Sequence, residues 1–348
     1  MNLAPLLRSV SLLLVALTLT ALSFAPRAAE TIKIVGAGAS FPAPIYLRWF
    51  RDYYLAHPNV KIDYQAIGSG GGVANFIKGM LDFAGSDVPM TLEQIAQVEG
   101  GVIQIPMTAG AIVIAYDLPG VDGLKLSRNA VAAIFLGEID HWNDPLIASA
   151  NPGVELPNMP IFVVTRGDAS GTTFVTTRHL GAISQEFREK VGIQMNPVWP
   201  KDLQERGALL RGQGNGGVAA FIKAIPGSIG YIQHAYAHLT NMQTAVLQNS
   251  KGEYVPANGE TFRAAVESFR ADLDLSAIAD PEGDDSYPIL SLSWLILRKD
   301  YPDDKAAVIR DVVHYALTDG QKVADSLGYI PLTAEAAARL QKKINQIH

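Results

Sequence analysis

The stretch QIPMTAGAIVIAYD, Gln104 to Asp117, carries one charge in fourteen residues, and that charge is its last residue. A second stretch of the same kind, YPILSLSWLILRKD, spans Tyr287 to Asp300. Both are long, apolar and β-rich. Between them lies a section with strands and helices of its own. A chain that leaves one lobe through the first stretch and returns through the second has two α/β lobes joined by a hinge. The lobes expected are 30–111 with 289–348, and 112–288.

The flanking sequence supports an α/β fold. TIKIVGAGA reads as a strand ending in glycines, followed by a helix in PAPIYLRWFRDYYLAH with its aromatics on one side. KIDYQAIG, GGVANFIKGML and DFAGSD continue as strand, helix and short strand. Such alternation predicts βαβ units and mixed, mostly parallel sheets. In the middle section PIFVVTRG and GSIGYIQ read as strands, and GNGG (214–217) and PANGE (256–260) as turns. The C-terminal runs KAAVIRDVVHYALTDGQKVADSLGY and EAAARLQKKINQI are helical by period.

Composition narrows the function classes. With 48% hydrophobic and 18% charged residues in a chain of 348, the protein is folded and large enough for more than one core. Residues 1–29 place Arg8 before the apolar run SVSLLLVALTLTALSFA, then Pro26 and small residues, the layout of a secretory signal. The competing reading of that run is an uncleaved membrane anchor, because 17 residues sit at the short end of a spanning helix. No other segment is apolar and long enough to span. The chain has no cysteine, which removes disulfides and a lipid-modified N-terminal cysteine alike. Export without that tether points to a compartment that retains soluble proteins, a periplasm. Loss of Arg8 and Arg27 with the leader takes the formal net charge from −6 to −8. A nucleic-acid face is therefore not expected, and an anionic ligand has to be attracted locally.

Three places share one design of strand, glycine-rich corner, hydroxyl residue and helix. They are VGAGASFPAP with Ser40, AIGSGGGVANF with Ser69, and TRGDASGTTF with Ser170, Gly171 and Thr172. Serine is a preferred N-cap, glycine admits close approach to the backbone, and a helix start attracts anions. Any one such corner can be an ordinary capped helix. Three in one exported chain point to an anion site. Arg166 lies four residues before Ser170, and its planar fork can hold two oxygens of a tetrahedral oxyanion, with Asp168 placed to orient it. Asp87, in GSDVP, is the odd member. A carboxylate facing a bound anion repels it unless the ligand has a proton to donate. Phosphate keeps one at neutral pH and sulfate does not, so Asp87 can select between them.

Competing motifs are incomplete. GAGASF has Phe41 where a dinucleotide fingerprint needs a small residue, and GSGGGV lacks the Gly-Lys-Ser/Thr of a P-loop. DASG has Asp168 where a nucleophile elbow needs glycine. His234 and His238 are spaced i, i+4 without the glutamate of H-E-x-x-H, and read as surface or partly packed side chains. The Arg-Gly-Asp tripeptide at 166–168 leads into a buried-looking corner, which argues against adhesion. No metal cluster and no nucleophile emerges, so neither a cofactor nor a phosphatase activity is expected.

The blocks GAGASFPAPIY, YQAIGSGGGV, DFAGSDVPM, RGDASGTTF, GNGGVAAFI and PGSIGYIQHAYA, in this order, resemble the periplasmic phosphate-binding proteins of bacterial phosphate ABC transporters. The resemblance runs from about residue 31 to beyond 330. It implies a two-lobed type II periplasmic binding fold that closes over one phosphate in the cleft and delivers it to an inner-membrane permease, as a monomer and without catalysis. It implies contacts from Ser40, Phe41, Ser69, Asp87, Arg166, Ser170, Gly171 and Thr172, with Asp168 as partner to Arg166. Phe41, through its backbone amide, enters that set from the resemblance alone. Ser40 stands where the family often has threonine, and GSGGG lacks a second serine that many members carry. Specificity for another tetrahedral oxyanion, or scavenging or sensing outside transport, are the alternative expectations.

Overall fold

The computed structural model describes residues 31–267 and 279–348. The leader expected at residues 1–29 lies outside the described residues. In chain order the strands are β1 (Ile32–Gly38), β2 (Val60–Ala66), β3 (Phe83–Ser86), β4 (Val102–Asp117), β5 (Lys125–Leu126), β6 (Phe162–Arg166), β7 (Leu209–Gly212), β8 (Ser228–Gln233), β9 (Gln243–Thr244), β10 (Val246–Gln248), β11 (Tyr254–Val255) and β12 (Leu290–Arg298). The large sheet has the order β2-β1-β3-β12-β4-β8-β6-β7, with β9 alongside β4, and β11-β10-β5 form a small separate sheet. The parallel pairings that the alternation predicts lie on both flanks, β2-β1-β3 and β8-β6-β7. The two bracketing strands pair antiparallel between them.

β4 is one continuous strand of sixteen residues, more than twice the usual length. Its first part pairs with β12 as far as Ala111↔Leu290, and its second part pairs with β8 from Ile112↔Gln233 onward. The partner changes between Ala111 and Ile112, where the sequence places the lobe boundary. Residues 105 to 116 are all buried, as a strand covered on both faces requires. The ladder with β12 is irregular at Ser293/Trp294, where Trp294 pairs with Pro106. Proline has no N–H to give, so a strand accommodates it at a bulge.

The helix Ala43–Ala56 buries Tyr46, Trp49, Phe50 and Tyr53, one stripe at i, i+3, i+4 and i+7. Tyr46 packs edge-on against Tyr64 of β2, and Phe50 against Phe83 of β3. The expected C-terminal helix is interrupted. Asp303–Leu317 ends at Thr318, two short 3₁₀ turns follow, and a second helix covers Ala334–Ile344. The break has a tertiary cause. Trp49 Nε1 donates to Gly320 O at 2.6 Å, and the Gln321 amide donates to Met107 O and Ala316 O. These contacts replace the α-helical ladder. A second correction concerns GNGG, expected as a turn, which opens the helix Gly214–Ala224. PANGE likewise runs into a helix, Gly259–Glu267, with Asn258 Oδ1 accepting from Glu260 N and Thr261 N.

Candidate anion-binding site

The parallel strands of both flanks end at one place. The C-terminal ends of β1, β2 and β3 lead to Ser40, Ser69 and Asp87, and those of β6 and β7 lead to residues 166–172 and 214–215. The carboxyl edge of parallel strands is where open α/β sheets hold ligands, because the turns there expose backbone N–H groups and helix starts. Ser40, Phe41, Ser69, Asp87, Arg166, Ser170, Gly171 and Thr172 are all buried there.

The corners touch across the junction. Ser69 Oγ accepts from Asp87 N and from Gly171 N, both at 3.2 Å. Gly70 N donates to Ala169 O at 3.0 Å. Ser40 Oγ accepts from Asn215 N and Asn215 Nδ2, each at 2.9 Å, while Ser40 O accepts from Tyr236 Oη at 2.7 Å. Gly171 has to be glycine for this approach. A Cβ there meets Ser69 Oγ at 2.5 Å and Asp87 Cβ at 2.7 Å.

Arg166 is 3% exposed. Its Nε donates to Asp168 Oδ1 at 2.8 Å, Nη2 to Asp168 Oδ2 at 2.5 Å, and Nη1 to Thr172 Oγ1 at 3.3 Å. Those bonds use three of five N–H hydrogens and leave one on each Nη to offer a ligand. Asp168 also accepts from Gly214 N at 3.1 Å. Burial acts to raise its pKa, but the hydrogen bonds and charge of Arg166 outweigh burial and hold it below the usual carboxylate value. The Arg-Gly-Asp tripeptide is thus an internal ion pair with its arginine out of reach of solvent.

Asp87 is in the opposite state. It is 5% exposed, and Oδ1 accepts from Ser293 Oγ at 2.8 Å. Burial pushes its pKa up to about 7, against the Ser293 hydroxyl, the Arg166 charge and the Ser69 and Thr172 hydroxyls, all of which favour the carboxylate. The buried phenol of Tyr46 is raised by burial and by the Asp87 charge, which marks how dry this side of the site is. Hydroxyls, backbone amides and one guanidinium around one acceptor form a receptor for an anion that carries a proton.

The structure brings every expected residue to this junction but corrects the expected capping. Ser170 caps its helix, accepting from Thr173 N at 3.0 Å. Ser40 and Ser69 do not cap. The helix after Ser40 is preceded by Pro42, and Gly68 stands at the cap position before Ser69. Their hydroxyls bond the facing corner instead. Sequence reasoning missed Asn215, Tyr236 and Ser293. For Asn215 a signal existed, because LLRGQGNGG repeats the design of strand, glycines, polar residue and helix. Ser293 has none, since its bond to Asp87 spans 206 residues. His234 and His238 stack with ring centroids 5.7 Å apart, and His234 Nδ1 lies 3.2 Å from Gly328 O.

Comparison with known proteins identifies the family and the fold. A PBP superfamily domain model matches residues 25–319. The phosphate-binding protein PstS of Pasteurella multocida is 39% identical, covering 88% of this chain and 88% of its own length. PstS of Methanocaldococcus jannaschii is 37% identical over 91% of this chain and 87% of its own. A solved periplasmic phosphate-binding protein with phosphate bound superposes with a TM-score of 0.72 at 20% identity, over 89% of this chain and 93% of that one. At that identity it speaks for the fold, a two-lobed type II periplasmic binding fold of mixed α/β sheets. Among the described residues no helix is long and apolar enough to cross a membrane. The chain belongs to the PstS family of phosphate-binding proteins.

Proposed function

We propose that this protein binds inorganic phosphate between two lobes in the periplasm and delivers it to an inner-membrane phosphate ABC permease. Export runs through the leader at residues 1–29. The lobes are 30–111 with 289–348, and 112–288, a division supported by the change of β4 partner at Ala111/Ile112. Ser40, Ser69, Ser170 and Thr172 offer hydroxyls, Phe41 and Gly171 backbone amides, and Arg166 its two remaining Nη hydrogens. Asp168 neutralises Arg166, and Asp87 accepts the phosphate proton. The protein acts as a monomer that closes on its ligand and performs no chemistry on it.

The observation that carries the reading is Asp87. A buried carboxylate among donors repels an anion with no proton and accepts a bond from one that has it. Monohydrogen phosphate and sulfate carry the same net charge, so the discrimination rests on the proton that only phosphate can offer to Asp87. Calorimetric titration of the mature, phosphate-stripped protein tests this. One-to-one phosphate binding without sulfate heat is expected. Equal binding of both anions marks a general oxyanion carrier, and binding of neither overturns the assignment.

A further inference from the structure

We propose that Asn215 sets the hydrogen-bond polarity of the site, obliging the Ser40 and Thr172 hydroxyls to donate toward the ligand. The inference rests on the phosphate reading above. Asn215 is fully buried, and its amide orientation is fixed from outside the site. Oδ1 accepts from Gln233 N at 2.9 Å, and a backbone N–H can only donate. Nδ2 therefore faces the other way and donates its two hydrogens to Ser40 Oγ at 2.9 Å and Thr172 Oγ1 at 3.2 Å.

A hydroxyl has two acceptor lone pairs and one hydrogen. On Ser40 Oγ both lone pairs are filled, by Asn215 N and Asn215 Nδ2. On Thr172 Oγ1 they are filled by Arg166 Nη1 and Asn215 Nδ2. Each hydroxyl can then only give its hydrogen away. Ser69 Oγ, filled by Asp87 N and Gly171 N, is in the same condition without Asn215. The result is three one-way donors, of which Ser69 and Thr172 face the Asp87 carboxylate in the ligand-free site and turn to the ligand when it arrives. Left free, a hydroxyl rotates to accept from a ligand P–OH as readily as it donates, and that ambiguity is what Asn215 removes. Asn215 is a positioning residue: it acts through two hydroxyls from opposite sides of the junction.

The test is a double-mutant cycle read by phosphate affinity. Asn215→Asp keeps the shape and the acceptor for Gln233 N but replaces two donated hydrogens with an acceptor. Ser40 and Thr172 then turn their hydrogens toward residue 215, and phosphate binds about a hundredfold more weakly. In a Ser40→Ala/Thr172→Val background, titrated up to millimolar phosphate, the same substitution costs less than about fivefold. An equal loss in both backgrounds means plain charge repulsion and overturns the proposal, as does unchanged affinity in the single variant. If Asn215→Asp shows no cooperative thermal transition, Asn215→Ala is run through the same cycle. Its smaller loss, about tenfold, also has to vanish when the two hydroxyls are absent. Failure of the wild-type protein to bind phosphate refutes the underlying reading, whereas wild-type binding with an additive cycle refutes only the role of Asn215.

Discussion

The corner after β3 and the corner after β6 each carry one aspartate into the same cluster, and the two are held in opposite states. Asp168 meets a guanidinium through two bonds and a backbone amide through a third, so its charge is stabilised. Asp87 meets hydroxyls and a dry wall, so its charge is costly and its pKa is pushed up to about 7. The difference assigns the roles. One carboxylate belongs to the protein, as the counter-charge that leaves Arg166 oriented. On the function proposed above, the other is kept for a proton that arrives with the ligand.

Arg166→Ala breaks the comparison at its strongest point. It removes two ligand donors and leaves Asp168 without its partner, a truncation that typically costs about 2–5 kcal/mol. Phosphate affinity falls by about two to four orders of magnitude, by calorimetry, and the urea midpoint of the ligand-free protein falls with it. Gly171→Ala comes next. Its Cβ meets Ser69 Oγ and Asp87 Cβ inside contact distance and holds the two corners apart. Phosphate binding weakens by about tenfold to a hundredfold with little change in ligand-free stability.

The two aspartates also give opposite pH dependences to the ligand-free protein. Asp87 binds its proton more tightly folded than unfolded, so its contribution to stability falls as pH rises from about 4 through about 7. A shift of that size is on the order of 4 kcal/mol. Asp168 is lowered, so its contribution is present above the unfolded carboxylate pKa and is lost as pH falls through the folded one. Urea midpoints measured across that range test this. Asp87→Asn removes the decline toward neutral pH, and an unchanged decline means Asp87 is not its source. The smallest effect expected is from Ser170→Ala, which orphans Thr173 N and costs about 1 kcal/mol in urea denaturation.

Much of this was legible in the sequence because it depends on local chemistry. Ser40, Ser69 and Ser170 stand out as hydroxyls in glycine corners, and Arg166 and Asp87 as charges at strand ends. The two long apolar runs stand out as β4 and β12, the antiparallel strands at the middle of the large sheet. What escaped depends on contacts distant in sequence. Ser40 and Ser69 look like helix caps, yet their oxygens bond Asn215 and Gly171, 175 and 102 residues away. GNGG has turn composition, but Asn215 is anchored on both sides by Ser40 and Gln233 and starts a helix. The C-terminal helix breaks at Thr318 because Trp49 claims Gly320 O across 271 residues. These long-range pairings carry no local pattern of their own, although the LLRGQGNGG repeat offered a hint for Asn215.

In the proposed function Asp87 is an acceptor reserved for a ligand proton. Phosphate and sulfate titrated separately into Asp87→Asn test it most directly, because an asparagine amide can donate where the carboxylate could only accept. Shifts of opposite sign are expected: phosphate binds about a hundredfold more weakly, and sulfate, silent with the wild-type protein, gives measurable heat. Equal weakening of both anions, or unchanged rejection of sulfate, contradicts it.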